Sequence, residues 1–324
     1  MTMRRWLRVV AALAVMALAS AARAEELTIT QWGVGFYGLP VAVAMDKGYF
    51  KKAGIDVTGI LTAAGGGTAV RNMLASPLPY GEVALSAALA ARAQGLPVVM
   101  VNVGSRSIAE FAWVTMPNSD VHSIKDLAGK KVSFTNPKSV TEMLLLMSLD
   151  AAQVPRDSVT RISSGGYGPG LTVMESGGVV AAPVVEPART ITKAKYRTVF
   201  APKDLLAPMV ITVGITTKDF AAAHPETLTA IVAGRRAGVD EVYAHPQEAA
   251  RIGAKTFENL DPKVAEEAVA NLHAAKLWSR GEFVKDELER MANGLRLVGE
   301  LQGEVDWKAL IDDRFLPADL RGLR

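Results

Sequence analysis

The sequence predicts an α/β fold with mixed, mostly parallel sheets in two regions and a layer of helices at the C-terminal end. Short apolar or β-branched segments alternate with segments of helical periodicity between residues 27 and 216, which is typical of strands joined by crossover helices. After Lys218 no strand pattern recurs. With 324 residues, of which 49% are hydrophobic, the chain is long enough for two domains with apolar cores.

The first alternating series runs from residue 27 to residue 115. It opens with a predicted strand at Leu27–Thr30, and Gly54, which follows two lysines, is predicted to end the first helical segment. The remaining elements are predicted as the helices Leu39–Lys47, Gly65–Ala75 and Ala87–Ala93 and the strands Ile55–Leu61, Glu82–Leu85, Val98–Val103 and Phe111–Thr115. Strands separated by helices favour parallel pairing.

A second series of the same kind precedes a helical tail. Its elements are predicted as the strands Lys131–Thr135, Val159–Ser163, Val179–Val185 and Met209–Thr216 and the helices Ser139–Ala152 and Gly170–Ser176. In the tail, Pro225, Pro246 and Pro262 each take a first helical position, where a missing N–H is tolerated. The tail is therefore predicted to form helices that pack on the sheets.

The first 24 residues have the pattern of a secretory signal peptide. Three arginines and no acid precede the apolar run Val9–Ala19, and Ala22-Arg23-Ala24 is a small-x-small cleavage site. The run is shorter than the roughly 20 residues that a membrane-spanning helix needs. We therefore expect cleavage after Ala24 and a periplasmic protein, exported by the general secretory route rather than the twin-arginine route.

Charge and cysteine content exclude several classes of function. The chain has 36 Lys and Arg against 33 Asp and Glu, and four of the arginines lie in residues 1–24, so residues 25–324 carry a net charge of −1. No basic surface for nucleic acid is expected from this balance. The absence of cysteine excludes disulfides, thiolate nucleophiles and a lipid anchor on cysteine.

Four stretches, in chain order, resemble motifs of one family of binding proteins. They are Asp46–Val57 (DKGYFKKAGIDV), Ser123–Val132 (SIKDLAGKKV), Val173–Ala182 with Glu186-Pro187, and Val305–Trp307 with Asp312–Leu316. The chain is thereby similar to periplasmic ABC-transporter solute-binding proteins of the sulfonate/nitrate/taurine and thiamine-pyrimidine (SsuA/TauA-like) family. It departs from the family pattern at Val180, Val185 and Pro77–Glu82, so the resemblance implies the fold and not the substrate.

The resemblance implies a two-lobed periplasmic-binding-protein fold of type II, with a ligand cleft between the lobes. One lobe is expected at residues 25–113 plus 211–324 and the other at residues 114–210, with two strand crossovers as the hinge. It also implies a monomer without a cofactor, which passes a small molecule to the membrane permease of an ABC importer and its ATPase. The expected ligand is a sulfonate, taurine, an aromatic carboxylate or a similar organic anion or zwitterion. The alternatives are a thiamine-type aminopyrimidine precursor and a sensor role.

Helix starts supply the physical argument for a ligand site. In open α/β sheets, ligands bind beyond the carboxyl ends of the strands, where helix N-termini present unpaired N–H groups and a partial positive charge. For the helix that is predicted to begin at Gly65–Thr68, the alternative is a plain turn capped by Thr68. The ligand contacts predicted from helix starts are Gly66, Gly67, Thr68, Ser86, Asn136, Lys138 and Ser139.

Aromatic side chains and one carboxylate complete the predicted site. Glu186 follows a predicted strand, where it would attract an amino-bearing ligand or cap the next helix. Aromatic residues in glycine-rich loops are less often core residues than those in strands, and core packing is the alternative for Trp113. The predicted aromatic contacts are Trp32, Phe36, Tyr37, Trp113 and Tyr167.

Catalysis is not expected from this sequence. It contains no HExxH or GxSxG motif, and its four histidines lie beside helix starts, at a helix end or in a loop. Pyrimidine-synthesising relatives of the resembled family are cytoplasmic and carry a Cys-rich motif, whereas this chain has no cysteine. No metal site is predicted.

Overall fold

The computed structural model describes residues 25–63, 65–257 and 260–324. The predicted signal peptide lies outside the described residues. The strands are β1 Glu25–Thr30, β2 Val57–Ala63, β3 Tyr80–Ala84, β4 Val98–Ser105, β5 Phe111–Thr115, β6 Lys131–Phe134, β7 Thr160–Ser163, β8 Ala182–Val185, β9 Arg197–Phe200 and β10 Thr212–Thr217.

Helices connect these strands and form most of the C-terminal third. They are α1 Leu39–Asp46, α2 Tyr49–Ala53, α3 Gly66–Ala75, α4 Leu85–Ala93, α5 Val140–Ala151, α6 Tyr167–Glu175, α7 Ala188–Thr192, α8 Lys218–Ala223, α9 Pro225–Ala244, α10 Pro246–Thr256, α11 Pro262–Ala274, α12 Lys285–Leu297 and α13 Trp307–Leu310. The predicted α/β class and the helical C-terminal layer are confirmed. Among the described residues, no helix combines the length and the apolar character that crossing a membrane requires.

The first sheet has five strands in the order β2-β1-β3-β10-β4. β1 pairs in parallel with β2 and β3, as expected for strands joined by helices. β10 returns from the second region of the chain and runs antiparallel to both β3 and β4. The sheet is therefore mixed, and its helix-joined strands β1, β2 and β3 share one carboxyl edge.

The second region contains two smaller sheets, β8-β5-β9 and β6-β7. β5 pairs antiparallel with both of its neighbours, whereas β6 and β7 are parallel. A bridge between Val132 and Ala181 connects β6 to the residue before β8. All of β5 pairs within this region, so the predicted lobe boundary between residues 113 and 114 falls inside that strand.

The long helix α9 packs on α1 and α2 through small residues. A Cβ on Gly238 would lie 2.0 Å from the carbonyl oxygen of Pro40, and one on Gly234 would lie 2.4 Å from the ring of Phe50. Beneath this contact, the fully buried Arg235 donates to Glu82 of β3 through Nε at 2.7 Å and Nη2 at 3.3 Å. An ion pair with more than one hydrogen bond thus ties α9 to the first sheet.

The C-terminal layer contacts both regions. α10 and α11 pack together and α10 packs on α1, whereas α12 packs on α5 of the second region. A Cβ on Gly294 would lie 2.4 Å from Sδ of Met143, so glycine here leaves room for the Met143 side chain between α12 and α5. The helical tail therefore spans the two sheet regions rather than covering the first alone.

Candidate ligand-binding site

A cavity of about 570 Å³ lies between the two sheet regions. Thr30 and Ala84 at the ends of β1 and β3 line one side, and Val185 at the end of β8 and Thr135, which follows β6, line the other. These are carboxyl ends of strands, where open α/β sheets bind ligands. The volume is in the range of roughly 300–1,000 Å³ that is usual for small-molecule sites.

The N-termini of four helices reach this cavity. Gly66 begins α3, Tyr167 begins α6, and the N-caps of α4 and α5 are Ala84 and Ser139; all four residues line the cavity. Unpaired N–H groups at these starts favour an anionic or hydrogen-bond-accepting group. Among the residues that the structure describes, no lysine, arginine or histidine lines the cavity. The partial positive charge there comes from the backbone.

Glycine is required where α3 and α4 converge. A Cβ on Gly66 would lie 2.6 Å from the Cβ of Ala87, a distance that the two helix starts cannot accommodate without moving apart. The next residue, Gly67, has open space around it, since a Cβ there would meet only Nη1 of Arg71 at 3.7 Å. The Gly66 contact therefore fixes where the α3 N-terminus meets the cavity.

Three hydroxyl groups organise the start of α5. Thr141 Oγ1 accepts the backbone N–H of Thr135 at 2.9 Å and lies 2.8 Å from Thr135 Oγ1. Ser139 Oγ lies 2.9 Å from Thr141 Oγ1 and accepts the N–H of Glu142 at 3.2 Å, which makes Ser139 the N-cap. All three hydroxyl residues line the cavity, so a polar ligand meets an ordered row of donors and acceptors on this wall.

A buried hydroxyl on the opposite wall has no partner of its own. Thr30 ends β1, is 7% exposed, and its Oγ1 forms no hydrogen bond with any described residue. A buried polar atom without a partner costs free energy that a ligand can recover. The Thr30 hydroxyl is therefore placed to bind a polar atom in the cavity.

Two tyrosines supply aromatic surface. Tyr37 is buried and Tyr167 is half-buried, and both line the cavity. Burial raises the pKa of the Tyr37 hydroxyl, and the charges of Glu110 and Glu82 and the Tyr167 hydroxyl raise it further. Burial and then the Glu110 charge raise the pKa of Tyr167. Both hydroxyls are therefore neutral donors, and both are near Glu110.

Glu110 is the one carboxyl on the cavity wall among the described residues, and it is 4% exposed. It lies between β4 and β5, and its Oε2 would be 3.7 Å from a Cβ on Gly35 of the β1–α1 loop. No described residue donates a hydrogen bond to this carboxyl. Burial, reinforced by the nearby Glu186 charge, raises the pKa of Glu110 to about 8, so at neutral pH it carries a proton.

The structure brings together five of the residues predicted from the sequence. They come from both sheet regions and line the same cavity: Tyr37, Gly66, Asn136, Ser139 and Tyr167.

Three predicted aromatic contacts lie outside the cavity lining. Phe36 is fully buried and packs edge-on against Phe257, as does the half-buried Trp32. Trp113 is fully buried, stacks on Phe200 at 5.0 Å between ring centroids, and donates through Nε1 to the backbone. These aromatic side chains pack in the apolar interior because burying a large ring there stabilises the fold more than leaving it exposed in the cleft.

Four predicted polar contacts also lie outside it. Thr68 is exposed, and its hydroxyl accepts a hydrogen bond from Arg71 at 2.9 Å. Lys138 points to Glu300, with Nζ 3.1 Å from Oε1, and has a left-handed backbone with φ of 65°. The other two, Gly67 and Ser86, belong to the first turns of α3 and α4 but do not reach the lining.

Glu186 caps a helix and does not line the cavity. Its Oε2 accepts the N–H and the hydroxyl of Thr190 at 3.2 and 2.8 Å, and its Oε1 lies 3.5 Å from Nδ2 of Asn271. It borders a separate recess of about 470 Å³ between α7 and α11. The carboxyl that faces the cavity is Glu110, which the sequence analysis did not identify.

The family follows from a comparison with known proteins. The family model described as NMT1/THI5 like matches residues 36–249, more than half of the chain. The chain belongs to the NMT1/THI5-like family. The resemblance inferred from the four sequence motifs is therefore confirmed.

Individual relatives of this NMT1/THI5-like chain include binding proteins and enzymes. The periplasmic aliphatic sulphonate binding protein SsuA from Escherichia coli superposes with a TM-score of 0.72 at 14% identity, covering 88% of this chain and 96% of that one. DszB in complex with biphenyl-2-sulfinic acid superposes with a TM-score of 0.67 at 14% identity, covering 90% and 98%. These likenesses confirm the two-lobed periplasmic-binding-protein fold.

A curated relative matches by sequence over a shorter segment. The 4-amino-5-hydroxymethyl-2-methylpyrimidine phosphate synthase of Schizosaccharomyces pombe is 28% identical over 107 residues. The match spans 33% of this chain and 30% of that enzyme.

Proposed function

We propose that this chain is the extracytoplasmic solute-binding component of an ABC importer and that it captures a small organic anion or zwitterion between its lobes. The lobes are residues 25–113 plus 211–324 and residues 114–210, except that all of β5 belongs to the second lobe. The captured molecule is passed to a membrane permease. The predicted signal peptide supports export. The shared fold with the periplasmic sulphonate-binding protein supports the binding role.

The convergence of four helix N-termini on one interlobe cavity carries this proposal. α3 and α4 approach it from one sheet region and α5 and α6 from the other, so a bound acceptor group contacts both lobes. A ligand that touches both lobes favours the closed arrangement by its differential affinity for that state. The unpaired Thr30 hydroxyl adds a further contact from the first sheet.

A thiamine-type aminopyrimidine is the second candidate ligand. The name of the curated relative identifies an enzyme that makes such a pyrimidine, and Tyr37 and Tyr167 offer aromatic surface to a flat ring. An alkanesulfonate is favoured instead by the helix N-termini and by the sulphonate-binding protein of the same fold. The two classes differ in aromaticity and in their nitrogen atoms, so binding assays distinguish them.

Binding without covalent chemistry agrees with the cavity wall, although two relatives are enzymes. Among the hydroxyls on the cavity wall, those of Thr135, Ser139 and Thr141 bond to one another and to backbone N–H groups. The Thr212 hydroxyl donates to Glu82, whose carboxylate is paired with Arg235. Within the described residues, no histidine lines the cavity to activate one of them. Activation of a hydroxyl needs a hydrogen-bonded base that is free to take its proton. Glu110 has no hydrogen bond to a described hydroxyl, and Glu82 is held in its ion pair with Arg235.

A thermal-shift screen with calorimetry tests the proposal. The purified protein is screened with alkanesulfonates, taurine, aromatic carboxylates, nitrate and aminopyrimidines. A ligand at about a thousandfold above its dissociation constant adds roughly 4 kcal/mol to the free energy of unfolding. We expect one class to raise the midpoint by several degrees and to bind with 1:1 stoichiometry. Turnover of any of these compounds would contradict the proposal.

A further inference from the structure

The cavity holds a buried acid whose hydrogen-bonding capacity the protein leaves unused. Glu110 is 4% exposed, lines the cavity, and receives no hydrogen bond from the described residues. Buried polar groups in folded proteins nearly always have a partner, so a carboxyl without a protein partner on a cavity wall can take one from a bound molecule or from water. The contrast with Glu186 shows that the fold can satisfy a carboxyl here, since Glu186 is equally buried and fully bonded.

The position of the carboxyl points to a ligand rather than to packing. Gly35 lies beside it in an extended backbone with φ of −125°, and a Cβ there would lie 3.2 Å from the Tyr37 ring and 3.7 Å from Oε2 of Glu110, so the absence of a side chain leaves room beside both groups. The side chain of Glu110 thus comes from the β4–β5 crossover that leads into the second lobe and reaches the β1–α1 loop of the first lobe. A group bound at this carboxyl contacts the residues that join the two lobes.

We infer that Glu110 determines the specificity of the proposed site by accepting a hydrogen bond from a ligand nitrogen that carries N–H. The inference rests on the proposed function, because it names a group of the same ligand. The acceptor end of the ligand lies at the helix N-termini and its nitrogen lies at Glu110. A simple alkanesulfonate satisfies only the first of these two requirements.

The titratable neighbours of Glu110 couple ligand binding at this carboxyl to the loss of its proton. Glu186 faces it from the end of β8, Tyr37 from the β1–α1 loop and Tyr167 from α6, and none of these is a cation. An ionised Glu110 therefore lacks a counter-charge until a ligand supplies one. When a cationic nitrogen binds, the Glu110 carboxyl loses its proton to solvent and the ligand cation takes its place beside the carboxylate.

This exchange sets the expected pH dependence. Because burial raises the pKa of Glu110 to about 8, its ionised fraction increases about fiftyfold between pH 6 and pH 8. The affinity for a cationic ligand should increase by about the same factor, with release of close to one proton per ligand at pH 6. A nitrogen-free anion should show no such increase, because an ionised Glu110 repels it.

Matched ligand pairs test the inference. Calorimetric titrations compare taurine with ethanesulfonate and 4-aminopyrimidine with pyrimidine, at pH 6 and pH 8. Two buffers of different ionisation enthalpy, free of sulfonate and primary amine, give the proton count. Glu110→Gln keeps the shape of the neutral acid but cannot ionise, and the exposed Glu304→Gln is the matched control.

We expect the nitrogen-bearing member of a pair to bind more tightly, and taurine binding to release a proton. Glu110→Gln should remove the pH dependence and the proton release, and Glu304→Gln should keep both. Equal binding of taurine and ethanesulfonate, unchanged by Glu110→Gln, would overturn the inference and leave the proposed function intact. Failure of all four compounds to bind would overturn the inference, and failure of the whole ligand panel of the thermal-shift screen would overturn the proposed function as well.

Discussion

Replacing Glu110 with glutamine should stabilise the protein at neutral pH without any ligand. The folded state raises the pKa of this carboxyl from 4.5 to about 8 by burial and the Glu186 charge. Between these two pH values the folded state binds more protons than the unfolded state. The stability therefore decreases as the pH rises through this window, and the decrease stops above pH 8.

The size of the effect follows from the two pKa values. A pH of 7 is about 2.5 units above the pKa of this carboxyl in the unfolded chain, so the carboxyl is ionised there. In the folded state it is still mainly protonated at pH 7. At 1.36 kcal/mol per unit, the folded state is less stable by about 3 kcal/mol than it would be with a group that does not titrate. For a chain of this length, 3 kcal/mol corresponds to about 5 °C in the unfolding midpoint.

Urea and thermal unfolding of wild type, Glu110→Gln and Glu304→Gln between pH 4.5 and pH 8.5 measure this difference. The wild type and Glu110→Gln should agree near pH 4.5 and diverge as the pH rises. Glu304→Gln should follow the wild type, because that side chain is exposed. Parallel stability curves for all three proteins would refute a buried, proton-binding Glu110.

Other variants test the cavity and its supports. Tyr167→Ala removes an aromatic wall and should weaken ligand binding about tenfold, whereas Thr68→Ala, outside the cavity, should change it less than about twofold in calorimetry. Gly66→Ala places a Cβ 2.6 Å from a side chain of α4 and should cost about 1–3 kcal/mol of unfolding free energy. Gly67→Ala should stay within about 0.5 kcal/mol, and equal effects of the two glycine variants would contradict the close contact. Glu82→Gln leaves the buried guanidinium of α9 without its counter-charge and should cost about 3–5 kcal/mol; a cost below 1 kcal/mol would show that the pair is not needed.

The parts of the site that the sequence predicted are those with a local cause. Gly66, Ser139 and Tyr167 each begin or cap a helix that follows a strand, and strand–loop–helix order is visible in the sequence. Each helix start lies at the carboxyl edge of its own sheet region, and the two edges meet at the cavity. The predicted α/β class and the helical tail were confirmed for the same reason, since periodicity and proline positions are local properties.

The rest depends on contacts between distant residues. Phe36 packs against Phe257 and Trp113 packs against Phe200, and both partners lie far away in the sequence. The positions of Phe36 in a loop and of Trp113 near a crossover therefore did not reveal that both rings are buried. Glu110 rather than the predicted Glu186 faces the cavity, because Thr190 and Asn271 bond to Glu186 whereas no described residue bonds to Glu110. Burial and the lack of a partner are tertiary properties that a single sequence does not show.

The most direct test of the ligand-capture account is a thermal-shift screen of the wild-type protein beside Tyr167→Ala with the same ligand panel. The account predicts that at least one ligand class raises the wild-type midpoint by several degrees. In Tyr167→Ala, which binds about tenfold more weakly, the shift at the same ligand concentration should be about a third smaller. A shift of equal size in both proteins, or no shift with any class, would contradict capture of these ligands in the cavity between the two sheet regions.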